Sequence, residues 1–134
     1  MKDYEAIRNQ PCLKTSQLSA HNKFGTVSIR EVLYTAKSVL KEKAEVFIRQ
    51  LYWRDFYYYI AQYYPHVFTG PMKLSYLEIP WENDPKKITA WQQGMTGCPI
   101  VDAAMRQLNK VGYMPNRCRM IVSCFLIKDL HVNW

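Results

Sequence analysis

Gln50, Trp53, Arg54 and Tyr57 recur at i, i+3, i+4 and i+7. On a helix that spacing projects all four from one face. An amide, an indole, a guanidinium and a phenol suit a surface that stacks on a planar ring and bonds its edges. The same stripe could be an amphipathic face whose aromatics cover a neighbouring helix. A second cluster, "NRCR", sets Arg117 and Arg119 beside Asn116 where a helix should begin. The macrodipole disfavours cations at a helix N-terminus. A bound anion would resolve the conflict. Internal salt bridges would too, with Asp102 and Asp129 as candidate partners. A third cluster, "TSQLS" at 15–19, offers three hydroxyls in a loop. Hydroxyls and backbone N–H groups can cradle phosphate; they also make ordinary turns and caps.

The elements that must position these groups are all helical. Residues 1–27 read as loop or short helix. "SIRE" predicts a capping box, Ser28 at the N-cap and Glu31 three residues on, opening a helix to about Leu40. A longer helix follows through "KAEVFIRQLYWRDFYYYIAQYYPH", its apolar stripe Val46, Ile48, Leu51, Phe56 and Ile60, and Pro65 stops it. Little regular structure is expected over 65–83. Asp84 and Pro85 open a short helix that Gly94 ends. Pro99 opens the next, with Val101, Ala104, Met105, Leu108 and Val111 on its apolar face, and Gly112 closes it. Asn116 is the expected cap of a last helix running to the end of the chain. That helix is apolar nearly all round, so it should be central and buried. Such a buried helix running out at Trp134 suggests a piece of something longer. No strand pattern and no internal repeat survive, so the fold class is all-α, one multi-helical domain over 1–134.

A chain of 134 residues can bury a real core. Its 49% hydrophobic and 22% charged residues exclude a disordered or low-complexity polymer. A net charge of +7 favours a polyanionic partner such as nucleic acid, or marks a merely basic protein. The four cysteines and three histidines show no metal-ligand spacing, so no metal is expected. Free, mostly buried thiols fit a reducing, intracellular compartment. The opening residues are polar and mixed in charge, unlike a signal peptide. The longest apolar run, Met120 to Ile127, is too short to span a bilayer.

Taken together, "TSQLSAHNKFG", "IRQLYWRDFYYYI", "AWQQGMTGCPIVDAAMRQLNKVGYMPNRCRMIVSCFLIKDL" and the closing "NW" resemble the flavin-binding helical domain of the photolyase and cryptochrome family. They occur in that family's order and cover essentially the whole chain. The resemblance implies an all-helical domain that binds FAD. In photolyases the photoexcited reduced flavin donates an electron to a pyrimidine dimer in DNA, the dimer splits, and the electron returns. Cryptochromes use the same cofactor to sense blue light.

The resemblance also implies roles, residue by residue. Tyr4, Thr15, Ser16, Leu18 and Ser19 match positions that hold the FAD phosphates and ribityl chain. Gln17 stands where an arginine is common, so its backbone is the expected contact. Trp53 matches the tryptophan that stacks on the flipped-out dimer, and Gln50 a lesion-facing position. Arg54 and Tyr57 match neighbours of flavin and DNA. Arg8, Asn116 and Arg117 match DNA contacts, Arg119 a residue packed near the flavin ring, and Met120 a lining residue of the lesion cavity. Trp81 and Trp134 match two tryptophans of the electron chain that photoreduces the flavin. A dimer must leave the duplex to meet the flavin, which calls for a stacking wall and basic residues.

Two departures bear on activity. Gln50 replaces the glutamate common in cyclobutane-dimer photolyases, and an amide supplies no carboxylate. "MPNR", in contrast, resembles the cyclobutane-dimer type. The family's N-terminal antenna domain, and the acidic loop and flavin-proximal tryptophan beyond Trp134, lie outside this sequence. Three readings follow: a photolyase piece working with a separately encoded remainder on dimer-containing DNA, a cryptochrome-like light sensor without repair, or an inactive remnant that is a basic DNA-binding module.

Overall fold

The computed structural model describes residues 3–134. Seven helices follow in order: α1 Tyr4–Ile7, α2 Ser19–Phe24, α3 Ile29–Leu40, α4 Glu45–Tyr63, α5 Pro85–Gln93, α6 Pro99–Val111 and α7 Asn116–Lys128. Short 3₁₀ turns occupy Lys41–Ala44, Pro65–Phe68 and Leu74–Glu78. Among the described residues there is no strand, as the all-α reading expects. No helix among them is long and apolar enough to cross a membrane, and no His, Cys, Asp and Glu cluster could hold a metal ion.

The chain divides into two compact units, Met1–Glu78 and Ile79–Trp134. In the first, Val32, Ala36 and Leu40 line one face of α3 at i, i+4 and i+8. They pack with Ala44 and with Phe47 and Leu51 of α4. Tyr4 sets its ring edge-on to Phe47 at 5.2 Å, which docks α1. The apolar stripe of α4 differs from expectation. Phe47 joins Leu51 in the core, whereas Phe56 is 48% exposed. Aromatics stud every side of α4, so the sequence alone does not say which side meets α3. The capping box also fails to form: Ser28 is the N-cap of α3 in extended backbone, but its side chain makes no capping bond.

In the second unit, α6 and α7 share a core of Val101, Ala104, Met105, Met114, Cys118 and Val122. Trp91 of α5 packs against it and donates from Nε1 to the Val122 carbonyl at 3.0 Å. Asp84 caps α5 by accepting from the Lys86 N–H, as expected. Gly94 ends α5 at φ +66°, and a Cβ there would stand 2.6 Å from the Asp102 carbonyl oxygen. Only glycine meets both demands. Asp102 itself is buried and accepts from the Thr96 hydroxyl (2.6 Å), the Thr96 N–H (2.8 Å) and the Gly97 N–H (3.0 Å). Led by the Thr96 hydroxyl bond, these donors hold its carboxyl below the usual range.

Three expectations for the last helix need correction. It ends at Lys128, not at the end of the chain. Pro115 is its N-cap, with Asn116 the first helical residue. It is buried on one side only, through Cys118 and Val122, and Met120 is half exposed. Val111, at the end of the α6 stripe, is exposed as well.

Candidate functional site

The predicted residues fall into four groups, two on each unit. On the first unit, the loop before α2 turns sharply at Gln17, whose φ of 55° lies in the left-handed region. The Ser16 hydroxyl accepts weakly from the Leu18 N–H at 3.4 Å. Leu18 packs on the α3–α4 core and so anchors the loop. No side chain caps the first turn of α2. Thr15, Ser16 and Ser19 therefore stand beside a helix start with uncommitted N–H groups. Asn22, one turn on, has a buried Oδ1 with no hydrogen-bond partner. That atom asks for a donor. Asn22 lies within the family-like stretch "TSQLSAHNKFG", but the sequence does not single it out, because nothing in its local sequence shows that its amide is buried. Tyr4 and Arg8 bracket the single turn of α1, with the Arg8 N–H on the Tyr4 carbonyl at 3.0 Å.

The second group is the outer face of α4. Trp53 stacks on Tyr57 at 6.0 Å with 29° between the planes, and its edge meets Phe56 at 5.4 Å. Phe56 meets Tyr57 edge-on at 5.5 Å. Trp53 is 50% exposed. The result is an aromatic wall of three mutually contacting rings, open to solvent. Phe56 was missed as a member, although its i+3 distance from Trp53 allows it. The polar members of the stripe turn elsewhere. Gln50 donates from Nε2 to the Val46 carbonyl at 3.1 Å. Arg54 pairs with Asp55 at 2.8 Å and lies over the Tyr58 ring at 4.5 Å. Rings and polar heads thus separate along one helix.

On the second unit, the start of α7 holds Asn116, Arg117, Arg119 and Met120. The Asn116 amide points at the Met120 sulfur, 3.9 Å away. Arg119 donates from Nε to the Met114 carbonyl at 3.0 Å. Asp102, one candidate salt-bridge partner, spends its carboxylate on Thr96 and Gly97 instead. The fourth group is a pair: Trp81 and Trp134 meet edge to face with centroids 5.6 Å apart and planes at 84°. Beside them Lys87 pairs with Glu82 at 2.5 Å and keeps that carboxyl below the usual range.

Residues 47–134 match the family model described as the FAD binding domain of DNA photolyase. The chain is 41% identical over 141 aligned residues to a deoxyribodipyrimidine photo-lyase of Synechococcus sp., covering 98% of this chain and 29% of that protein. The crystal structure of an archaeal photolyase from Sulfolobus tokodaii with two FAD molecules is similar at TM-score 0.86 and 46% identity, over 95% of this chain and 29% of that one. A Synechocystis cryptochrome is similar at TM-score 0.90 and 34% identity, over 99% of this chain and 29% of that one. The chain thus spans under a third of the length of these relatives. It belongs to the family of the FAD-binding domain of DNA photolyases.

Proposed function

We propose that the chain supplies one part of a photolyase: the lesion-stacking wall, the phosphate-holding loop and two tryptophans of a relay. The remaining segments of such an enzyme would come from a separately encoded polypeptide. The assembled protein would use light and FAD to split cyclobutane pyrimidine dimers in DNA. The observation that carries this reading is the Trp53 surface. A half-exposed indole, braced by Tyr57 and Phe56, is built to stack on an extruded base.

The residues present fit part of an FAD site. Thr15, Ser16 and Ser19 would hold its phosphates, with the backbone of Gln17 and Leu18. The orphaned Asn22 Oδ1 would accept from a hydroxyl of the ribityl chain or ribose. Tyr4, Arg54, Tyr57 and Arg119 are the other candidate contacts. FAD bound there would supply the one-electron photochemistry. The chain's own work is to stack the lesion on Trp53, with Gln50 on the same helix and Arg8 toward the strand. On the second unit Asn116 and Arg117 are the candidate strand contacts and Met120 the candidate lesion contact. Trp81 and Trp134 are close enough to pass charge between their rings.

Co-expression with a polypeptide carrying the relatives' remaining segments tests this. A yellow complex that repairs thymine-dimer DNA under blue light is expected. Trp53→Ala should weaken dimer binding by roughly 5- to 150-fold, the loss of one base–aromatic stack. Colourless protein in every combination would sink the proposal. A second reading, a sensor without repair, is favoured by Gln50, whose amide is spent on its own helix. It predicts light-driven reduction of bound flavin with dimers left intact.

A further inference from the structure

The Trp81–Trp134 contact poses a physical question. Trp134 is 61% exposed, so packing alone does not hold its ring. Yet it faces Trp81 at 5.6 Å and 84°. The answer lies in the adjacent backbone. Segments 81–84 and 131–134 run side by side and exchange bonds. The Glu82 N–H donates to the His131 carbonyl at 2.9 Å. The Asn133 N–H donates to the Asn83 side-chain carbonyl, Oδ1, at 2.8 Å. Each tryptophan is the immediate chain neighbour of one bonded residue. Val132 is buried at 4% exposure, and its N–H reaches the Leu126 carbonyl, which roots this segment on α7.

A second observation converges on the same place. Asn83 and His131 have φ of 49° and 51°, and no other non-glycine residue described in this unit has positive φ. Left-handed backbone is uncommon outside glycine, and asparagine and histidine are among the side chains that enter it most readily. Here it lets the Asn83 amide and the His131 carbonyl turn toward the opposite segment. A simple stop after α7 would need no bond between residues so far apart in sequence.

We propose that Asn83 is a positioning residue: its Oδ1, with the His131 carbonyl, clasps the two segments and fixes the ring geometry of Trp134 against Trp81. The importance of the clasp rests on the relay reading given above; its existence does not. The clasp sets the distance and angle between the rings, the quantities that govern charge transfer between them.

The test uses the full chain without cofactor. Two indoles this close give a far-ultraviolet circular-dichroism exciton couplet, and Trp134→Phe gives the baseline without it. Asn83→Gly keeps the left-handed backbone but removes the acceptor. It should drop the couplet to the Trp134→Phe level while the helical signal stays unchanged. Asn83→Asp keeps an acceptor oxygen and should retain the couplet. An undiminished couplet in Asn83→Gly would overturn the proposal, as would a wild-type spectrum no different from Trp134→Phe. In the assembled flavoprotein, photoreduction that survives Trp134→Phe would end the relay reading and leave the clasp standing.

Discussion

Two residues carry consequences that their own atoms decide. Gln50 turns its amide to the Val46 carbonyl and offers a neutral head where a carboxylate would make a charge-assisted bond. Replacing the neutral bond is worth about 1 kcal/mol, so Gln50→Glu should raise dimer repair in the assembled enzyme roughly fivefold. Blue-light repair rates on thymine-dimer DNA check it, and an unchanged rate would remove Gln50 from the lesion contact. Asp102 acts on stability. Its three donors hold the folded carboxyl below the usual range, led by the Thr96 hydroxyl. A carboxyl with a depressed folded pKa stabilises fully above its unfolded pKa, about 3.9, and loses that stabilisation as pH falls toward the folded value. The urea midpoint should therefore fall below about pH 4, and Asp102→Asn should flatten that fall while lowering the midpoint at neutral pH. Of these two residues the sequence marks Gln50, through its helical stripe. It shows Asp102 only as a candidate partner for arginines. The true partners sit in a tight turn whose shape depends on Gly94 and Gly97.

Helices were legible wherever their ends are local chemistry. Asp84 with Pro85, Gly94, Pro99 and Gly112 mark α5 and α6 within a residue, because caps and stops act over one turn. Burial was less legible, because it depends on which neighbour is present. The sequence "MIVSCFLI" reads as buried all round, yet α7 covers only the side that meets α6. Two methionines flanking this boundary make the point testable. Met114 is 2% exposed in the α6–α7 core, and Met120 is 50% exposed. Met114→Ala should cost about 2–5 kcal/mol, the range for large-to-small core changes. Met120→Ala should stay within about 0.5 kcal/mol. Urea unfolding of both variants measures the contrast, and equal losses would mean that α7 is buried on both sides in solution. The Trp81–Trp134 contact was legible only through family resemblance, since no periodicity links residues so distant in sequence.

At the scale of the whole molecule the surface is too large for the mass. The chain exposes 10144 Å², whereas a folded monomer of 15.9 kDa exposes about 7,400 Å². Two independent globules the size of its units would still expose only about 8,800 Å². The excess over that bound, roughly 1,300 Å², is more than one side of a standard protein interface, about 800 Å². It is also apolar in character. Tyr52, Tyr59 and Tyr63 of α4 are each at least 60% exposed, and an apolar cavity of about 350 Å³ opens among Val27, Val32, Val39 and Phe47. Exposed apolar surface of that extent is characteristic of interaction faces and ligand grooves, and on the reading proposed above it is the face the complementing segments would cover. The isolated chain should therefore bind a hydrophobic dye such as anilinonaphthalene sulfonate and self-associate with rising concentration in sedimentation velocity. The complementing polypeptide of the proposed split enzyme should abolish both and form a one-to-one complex. Saturation at about a hundredfold over Kd adds roughly 2.7 kcal/mol, a rise of roughly 10 °C in Tm for a chain of this size. A monodisperse monomer that ignores the dye would show that the exposed face needs no cover, and the split-enzyme reading would lose its physical basis.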